Sequence, residues 1–169
     1  MMGMLKSILF AFAISITLII GGCWHPLSEN AKEQKAEPLF PKGDKITNNN
    51  FSGTAWLQML VLNDSTYNTS IGNVTFEPRA RTNWHKHPGG QILLVTEGKG
   101  YYQEKGKPAQ RIQKGDVVNI PPDTEHWHGA APDNELVHIA ISLNTDKGGA
   151  VWLQPVTDEE YDQLIKNRN

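Results

Sequence analysis

His85-Lys86-His87-Pro88-Gly89-Gly90-Gln91 decides the reading of this chain, and His126-Trp127-His128 answers it further along. His85 and His87 are two apart, so on an extended strand both imidazoles project from one face. The Pro-Gly-Gly run lets the chain reverse, which returns Gln91 at the start of the next strand. His126 arrives from a distant segment, as a site built between strands requires. Five of the six histidines lie between positions 85 and 138, and only His25 falls outside. Three imidazoles and an amide at these spacings suit one divalent metal at the mouth of a β-barrel.

Outward from this stretch the chain reads as short strands punctuated by turns. Thr54–Leu62, Ser70–Glu77, Thr82–His87 and Gln91–Glu97 are extended and largely apolar or alternating, and the last is expected to stop at Gly98-Lys99-Gly100. Tyr101–Glu104, Ala109–Ile112, Val117–Ile120, Glu125–Ala130, Leu136–Leu143 and Val151–Leu153 complete the set. Turn signals recur about every ten residues, the pattern of an all-β sandwich or barrel. One helix closes the chain. Thr157-Asp158-Glu159-Glu160 fits a capping box, and Tyr161, Leu164 and Ile165 then face the barrel at helical spacing.

The N-terminus carries different information. Lys6 precedes the apolar run Ile8–Ile20, 13 residues that are short for a membrane span. The run ends in Ile20-Gly21-Gly22-Cys23, which resembles a bacterial lipobox, and Cys23 is the single cysteine of the chain. Residues 1–22 therefore read as a lipoprotein signal peptide and Cys23 as the lipidation site. Trp24 rather than Asp follows it. The lipobox resemblance implies an extracytoplasmic protein lipid-anchored at the periplasmic face of a bacterial membrane, and Trp24 directs the expectation to the outer one where there are two. Residues 23–50 are polar and charged, with Pro38, Pro41 and Asn48-Asn49-Asn50, and read as a tether. A single domain is then expected over 51–169. One cysteine excludes an intrachain disulfide, and a net charge of −2 gives no electrostatic case for nucleic acid.

From Asn73 to Leu143 these residues resemble the cupin superfamily. The usual first motif, G-x5-H-x-H-x3-4-E-x6-G, falls on Arg79, His85, His87, Gln91 and Gly98, with Arg in place of the opening glycine and Gln in place of Glu. The second, G-x5-P-x-G-x2-H-x3-N, falls on Gly115, Pro121, Asp123, His126 and Ala130, with Asp and Ala departing from the pattern. The resemblance implies a double-stranded β-helix (jelly-roll) barrel with a short C-terminal helix. Val74–Pro88, Gly115–Val118 and His126–Pro132 look like the small bacterial cupins that include manganese-dependent hydroxynitrile lyases, which sit near cupins associated with carboxymuconolactone decarboxylases. In that branch the ligands are three His and a Gln, which implies His85, His87, Gln91 and His126 here. A pocket histidine on a late strand matches His138. The Gln that follows it on the same strand face is Ser142 in this chain.

Neutral imidazoles and an amide would leave the double charge of a metal uncompensated, which favours an anionic ligand and Lewis-acid chemistry. Manganese or iron is favoured by resemblance, and zinc, nickel and cobalt suit the same donors. On its strand His138 shares a face with Leu136, Ala140 and Ser142, and an imidazole there can move a proton. His128 shares a face with His126 and either lines the cavity, ligates in place of Gln91 or orients a ligand. Val137, Ile139, Ile141 and Leu143 form an apolar opposite face that packs on a sheet or a second subunit, so a homodimer is expected. Arg79 and Arg81 read as a solvated edge. The functional expectation is a metal-dependent lyase, isomerase or decarboxylase acting on a small hydroxy or carbonyl compound. A metal-dependent dioxygenase and a non-catalytic ligand-binding module are the alternatives.

Overall fold

The computed structural model describes residues 37–63 and 65–166. The chain divides into two compact units, Met1–Ala36 and Glu37–Asn169. The stretch read as a signal peptide (1–22), Cys23 and the first part of the stretch read as a tether thus lie outside the described residues.

The second unit is an antiparallel sheet of 12 strands curled on itself. One layer contains β1 (Asp44–Lys45), β3 (Ala55–Val61), β4 (Ser70–Phe76), β11 (Leu136–Ser142), the first half of β7 (Gln91–Glu104) and β9 (Val117–Ile120). The other contains the second half of β7, β8 (Gln110–Gln113), β10 (His126–Ala130), β5 (Arg81–Thr82), β2 (Phe51–Ser52), β6 (His85–Lys86) and β12 (Val151–Trp152). Helix α1 (Asp158–Lys166) follows.

Alternation along the strands separates an inner from an outer set. Val74, Phe76, Leu93, Val95 and Leu136 from one layer meet Tyr102, Ile112 and Ala130 from the other in the barrel core. Tyr101 and Trp127 are on the outside of the second layer, where they bury against Trp84, Val156 and Tyr161 beneath α1.

Three expectations are corrected. Gly98-Lys99-Gly100 is not a turn between strands. β7 runs on through it for 14 residues, pairing with β11 and β9 before Gly98 and with β8 and β10 after it. A glycine at φ 74° bends the strand from one layer into the other without breaking it. Residues 37–50 are not a free tether. β1 pairs with β3, the Ile46 amide donates to Ala55 O at 2.9 Å, and Asn83 N donates to Asn50 O at 2.8 Å. Backbone pairing holds this polar stretch where apolar content gives no sign of it, so the folded unit begins near Glu37. Arg81 is not on a solvated edge either. It is 4% exposed, and its guanidinium donates to Val156 O (2.8 and 3.1 Å) and to Asp158 (2.7 Å). Arg79 does lie at the surface and pairs with Asp162, with its own backbone at φ 70° where the motif carries glycine.

The capping box forms as read. Thr157 N donates to the Glu160 carboxylate at 2.9 Å, and Glu160 N donates to Thr157 Oγ1 at 3.1 Å. Tyr161 is fully buried and donates its hydroxyl to Ala130 O at 2.6 Å, which ties the helix to β10. Thr157→Ala is expected to cost about 1 kcal/mol, read as a lower urea midpoint with an unchanged slope. No loss would show that Arg81 and Tyr161 hold the helix unaided.

Candidate metal centre

The histidines converge because three strands deliver them to one end of the barrel. His85 on β6 is directly opposite His126 on β10, and His128 follows on the same face. His87 is in the turn after β6, where Gly90 N donates to His87 O at 3.0 Å and Gly90 takes φ 86°. That turn brings Gln91 back as the first residue of β7. His138 enters from β11, opposite Val95 and Val74.

Hydrogen bonds fix how the rings present themselves. His85 Nδ1 donates to Asn83 O at 3.0 Å and His126 Nδ1 to Thr124 O at 2.8 Å, which leaves both Nε2 atoms as bare lone pairs. Gln91 Oε1 is 3.2 Å from His126 Nε2. With Nδ1 carrying the proton these are two acceptors face to face, an arrangement relieved by a shared cation or by turning the amide so that Gln91 Nε2 donates. His87 Nε2 is buried without a hydrogen-bond partner among the described residues. The donor set therefore fits a divalent metal on its own chemistry.

The metal and proton-transfer residues named from sequence are all buried: His85, His87, Gln91, His126, His128 and His138 are at most 7% exposed. The tightest group differs from the motif, however. Ring nitrogens of His85, His126 and His128 lie within 4.8 Å of one another. His87 is outside that group by ring nitrogens, although its ring centroid is 5.3 Å from that of His85 and 5.9 Å from that of His126, as close as that of His128 at 5.3 and 6.0 Å. Behind the group, His138 Nε2 is 3.1 Å from His128 Nδ1, while His138 Nδ1 is buried with no hydrogen-bond partner in another described residue.

Three neighbours flank the histidines; sequence reading admits Trp84, Trp127 and Trp152 as possible pocket walls but misses Tyr102 and Glu104. Trp152 on β12 packs its ring against His85 with centroids 4.7 Å apart. Tyr102 and Glu104 on β7 pair across the sheet with His128 and His126. Only the register places them there, and periodicity alone could have suggested no more than a shared face. Trp84 and Trp127 lie outside the barrel under α1.

Burial is the main force on the imidazole pKa values. It holds His87, His126 and His138 down at about 4, and His85 and His128 well below the ordinary histidine range. Near neutral pH all five are uncharged and available as ligands. In the unfolded chain they titrate near 6.5. Between that pH and about 4 the unfolded state therefore binds protons that the folded state refuses. Stability must fall as the pH drops through this window, by about 1.4 kcal/mol per pH unit for each ring fully involved. Urea midpoints of the metal-free protein are expected to decline from pH 6.5 to 4 and to go on declining, less steeply, below it, where His85 and His128 still refuse protons. A flat profile would contradict the burial of these rings as neutral groups.

A curled antiparallel barrel with an imidazole cluster at one end defines a class of protein: the metal-site jelly-rolls. Comparison makes the assignment specific. Residues 72–142 match the model described as "Cupin domain". The chain is 43% identical over 111 residues to an (R)-mandelonitrile lyase of Granulicella tundricola, covering 66% of this chain and 85% of that one. A cupin-like protein of Thermotoga maritima is 55% identical, with a TM-score of 0.74, over 76% of this chain and 97% of that one. An acireductone dioxygenase of Bacillus pumilus is 25% identical over 80 residues, 45% of this chain and 43% of that one. The chain belongs to the cupin superfamily.

Proposed function

We propose that this protein is a divalent-metal-dependent enzyme of lyase, isomerase or decarboxylase type acting on a small hydroxy or carbonyl compound. The observation that carries the reading is the facing pair of acceptors, Gln91 Oε1 and His126 Nε2, beside the bare Nε2 of His85. His85, His87, Gln91 and His126 would hold the metal, with manganese or iron favoured. When bound, it supplies Lewis-acid polarisation of a substrate oxygen. His138 and His128 do the proton work. Their ring nitrogens are within hydrogen-bond reach of each other, so a proton taken by His128 at the cavity passes to His138 behind it. The buried barrel around them keeps both rings neutral near pH 7, so each holds a proton only in transit and hands it on. The likeness to a mandelonitrile lyase supports 2-hydroxy nitriles as the first substrates to test.

His138→Ala is expected to lower turnover by about 10²- to 10⁴-fold while metal content by mass spectrometry stays at the native level. Undiminished turnover of a small hydroxy nitrile or hydroxy carbonyl compound in that variant would overturn the acid/base role. The acireductone dioxygenase relative favours a second reading, oxygen-dependent chemistry. Oxygen consumption by the iron-loaded protein, with no anaerobic turnover, would select it.

The reading extends to context. Cys23 as a lipid attachment point would place the domain at the periplasmic face of a bacterial membrane, the outer one where there are two, and palmitate labelling lost in Cys23→Ser tests this. Ile139 and Ile141 on β11 face away from the core and are only half-buried. They support a homodimer through this layer, which light scattering of the native protein and of Ile139→Lys would test.

A further inference from the structure

His85 can offer Nε2 to a metal only while its proton stays on Nδ1, and either nitrogen of a neutral imidazole can carry that proton. The Asn83 carbonyl selects the tautomer by accepting from Nδ1 at 3.0 Å. That carbonyl lies outside the strand ladders. Asn83 falls between β5 and β6, where the chain leaves β2 and takes up β12. Something other than a ladder must therefore aim it.

The peptide unit that carries this carbonyl is held from two sides. Its own amide, Trp84 N, donates to Gln154 O at 3.0 Å. On the other side Asn83 N donates to Asn50 O at 2.8 Å, and the side-chain Nδ2 of Asn83 donates to Asn49 O at 3.0 Å. Asn48 Oδ1 accepts from Asn50 N at 3.0 Å, which folds the segment supplying both carbonyls. Asn83 is 6% exposed, so a bond lost there is not handed to water. A carbonyl oxygen only accepts, so the side chain must present an N–H to Asn49, which an amide does and a carboxylate does not.

We infer that Asn83 is a positioning residue for the metal centre. Its side-chain amide fastens residues 49–50, and its own carbonyl, aimed by that bond, holds His85 as the Nδ1–H tautomer with Nε2 bare. The polar stretch Asn48–Asn50 thus braces a ligand of the site through one side chain. His126 receives the equivalent bond from Thr124 O in its own loop and does not depend on Asn83. The consequence for metal affinity rests on the metal reading above, whereas the tautomer of His85 does not.

The test uses the full-length protein in two states. Without metal, long-range proton–nitrogen NMR of the imidazoles near pH 7 reports each tautomer. Native protein is expected to show His85 and His126 with the proton on Nδ1. In Asn83→Ala, His85 should become a mixture of tautomers while His126 stays as it was, a contrast that general loosening would not produce. With manganese(II) added, the same variant should bind the ion about 10- to 100-fold more weakly, the usual cost of removing an outer partner of a ligand. Asn83→Asp keeps the shape and removes the donor, and gives the same two readings should Asn83→Ala fail to fold. Asn49→Ala leaves the Asn49 carbonyl in place and should match the native protein in both. A pure Nδ1–H tautomer of His85 or native manganese affinity in the Asn83 variants, an equal disturbance of His126, or an equal loss in Asn49→Ala would overturn the role of Asn83. Failure of the native protein to bind manganese or any other divalent ion would overturn the metal reading instead, with the tautomer spectra still deciding whether Asn83 orients His85.

Discussion

His126→Ala is expected to abolish metal retention. The native protein should carry close to one divalent ion per chain, and the variant less than about a tenth of that. Removal of an outer-shell partner typically costs 10- to 100-fold in metal affinity, and His126 is more central than that. It touches Gln91 through Nε2, stacks near His85 with ring centroids 4.2 Å apart, and belongs both to the motif's ligand set and to the compact ring triad. Loss of the ion should also lower the melting temperature measured at excess metal, because a ligand bound only by the folded state stabilises it. His87→Ala and His128→Ala sharpen the result, since each removes a ring from only one of the two sets. Metal content by mass spectrometry across the three variants checks this. Retention at the native level in His126→Ala would place any metal elsewhere.

Gly98→Ala is expected to be among the most damaging single changes to the fold. An added Cβ would lie 1.8 Å from Glu135 O and 2.7 Å from Glu135 C, both backbone atoms beside the β11 pairing, and the residue holds φ 74°. The left-handed conformation alone costs about 1–2 kcal/mol for an L-residue. The overlap must in addition push β7 away from β11 where the strand crosses between layers. A total beyond about 4 kcal/mol is expected, a large share of the 5–15 kcal/mol typical of a domain. Gly115→Ala is the control. It has φ 94° but nothing within 4 Å of the added atom, so only the conformational strain remains. Urea unfolding of both variants checks the contrast, and equal losses would show that the β7 bend tolerates a side chain.

The sequence made much of this site legible, for a physical reason. Metal donors must recur at fixed spacing on strands, so His85, His87 and His126 declare themselves, and alternation on β11 assigns His138 to the inner face. The capping box of α1 is equally local and reads directly from Thr157 and Glu160. What stayed hidden depends on pairing between distant residues. β1 and β2 are two residues each, too short for periodicity to register, and tertiary hydrogen bonds hold them. Gly98 carries the signal of a turn, yet a positive φ serves a bend within a strand as well. Arg81 looks like a surface cation until Val156 O and Asp158 come back from the C-terminus to meet it. Tyr102 and Glu104 sit beside the histidines only because β7 pairs with β10 in one particular register. The swap of emphasis between His87 and His128 has the same origin, since spacing cannot say which ring nitrogens lie closest.

The most direct test of the central claim is X-ray absorption spectroscopy at the metal edge of the loaded, full-length protein. The arrangement predicts a shell of nitrogen and oxygen atoms only, with the multiple-scattering signature of three imidazoles. A fourth imidazole would bring His128 into the shell beside His85, His87 and His126. A shell of fewer than three imidazoles, or one containing sulfur, would contradict the site as described.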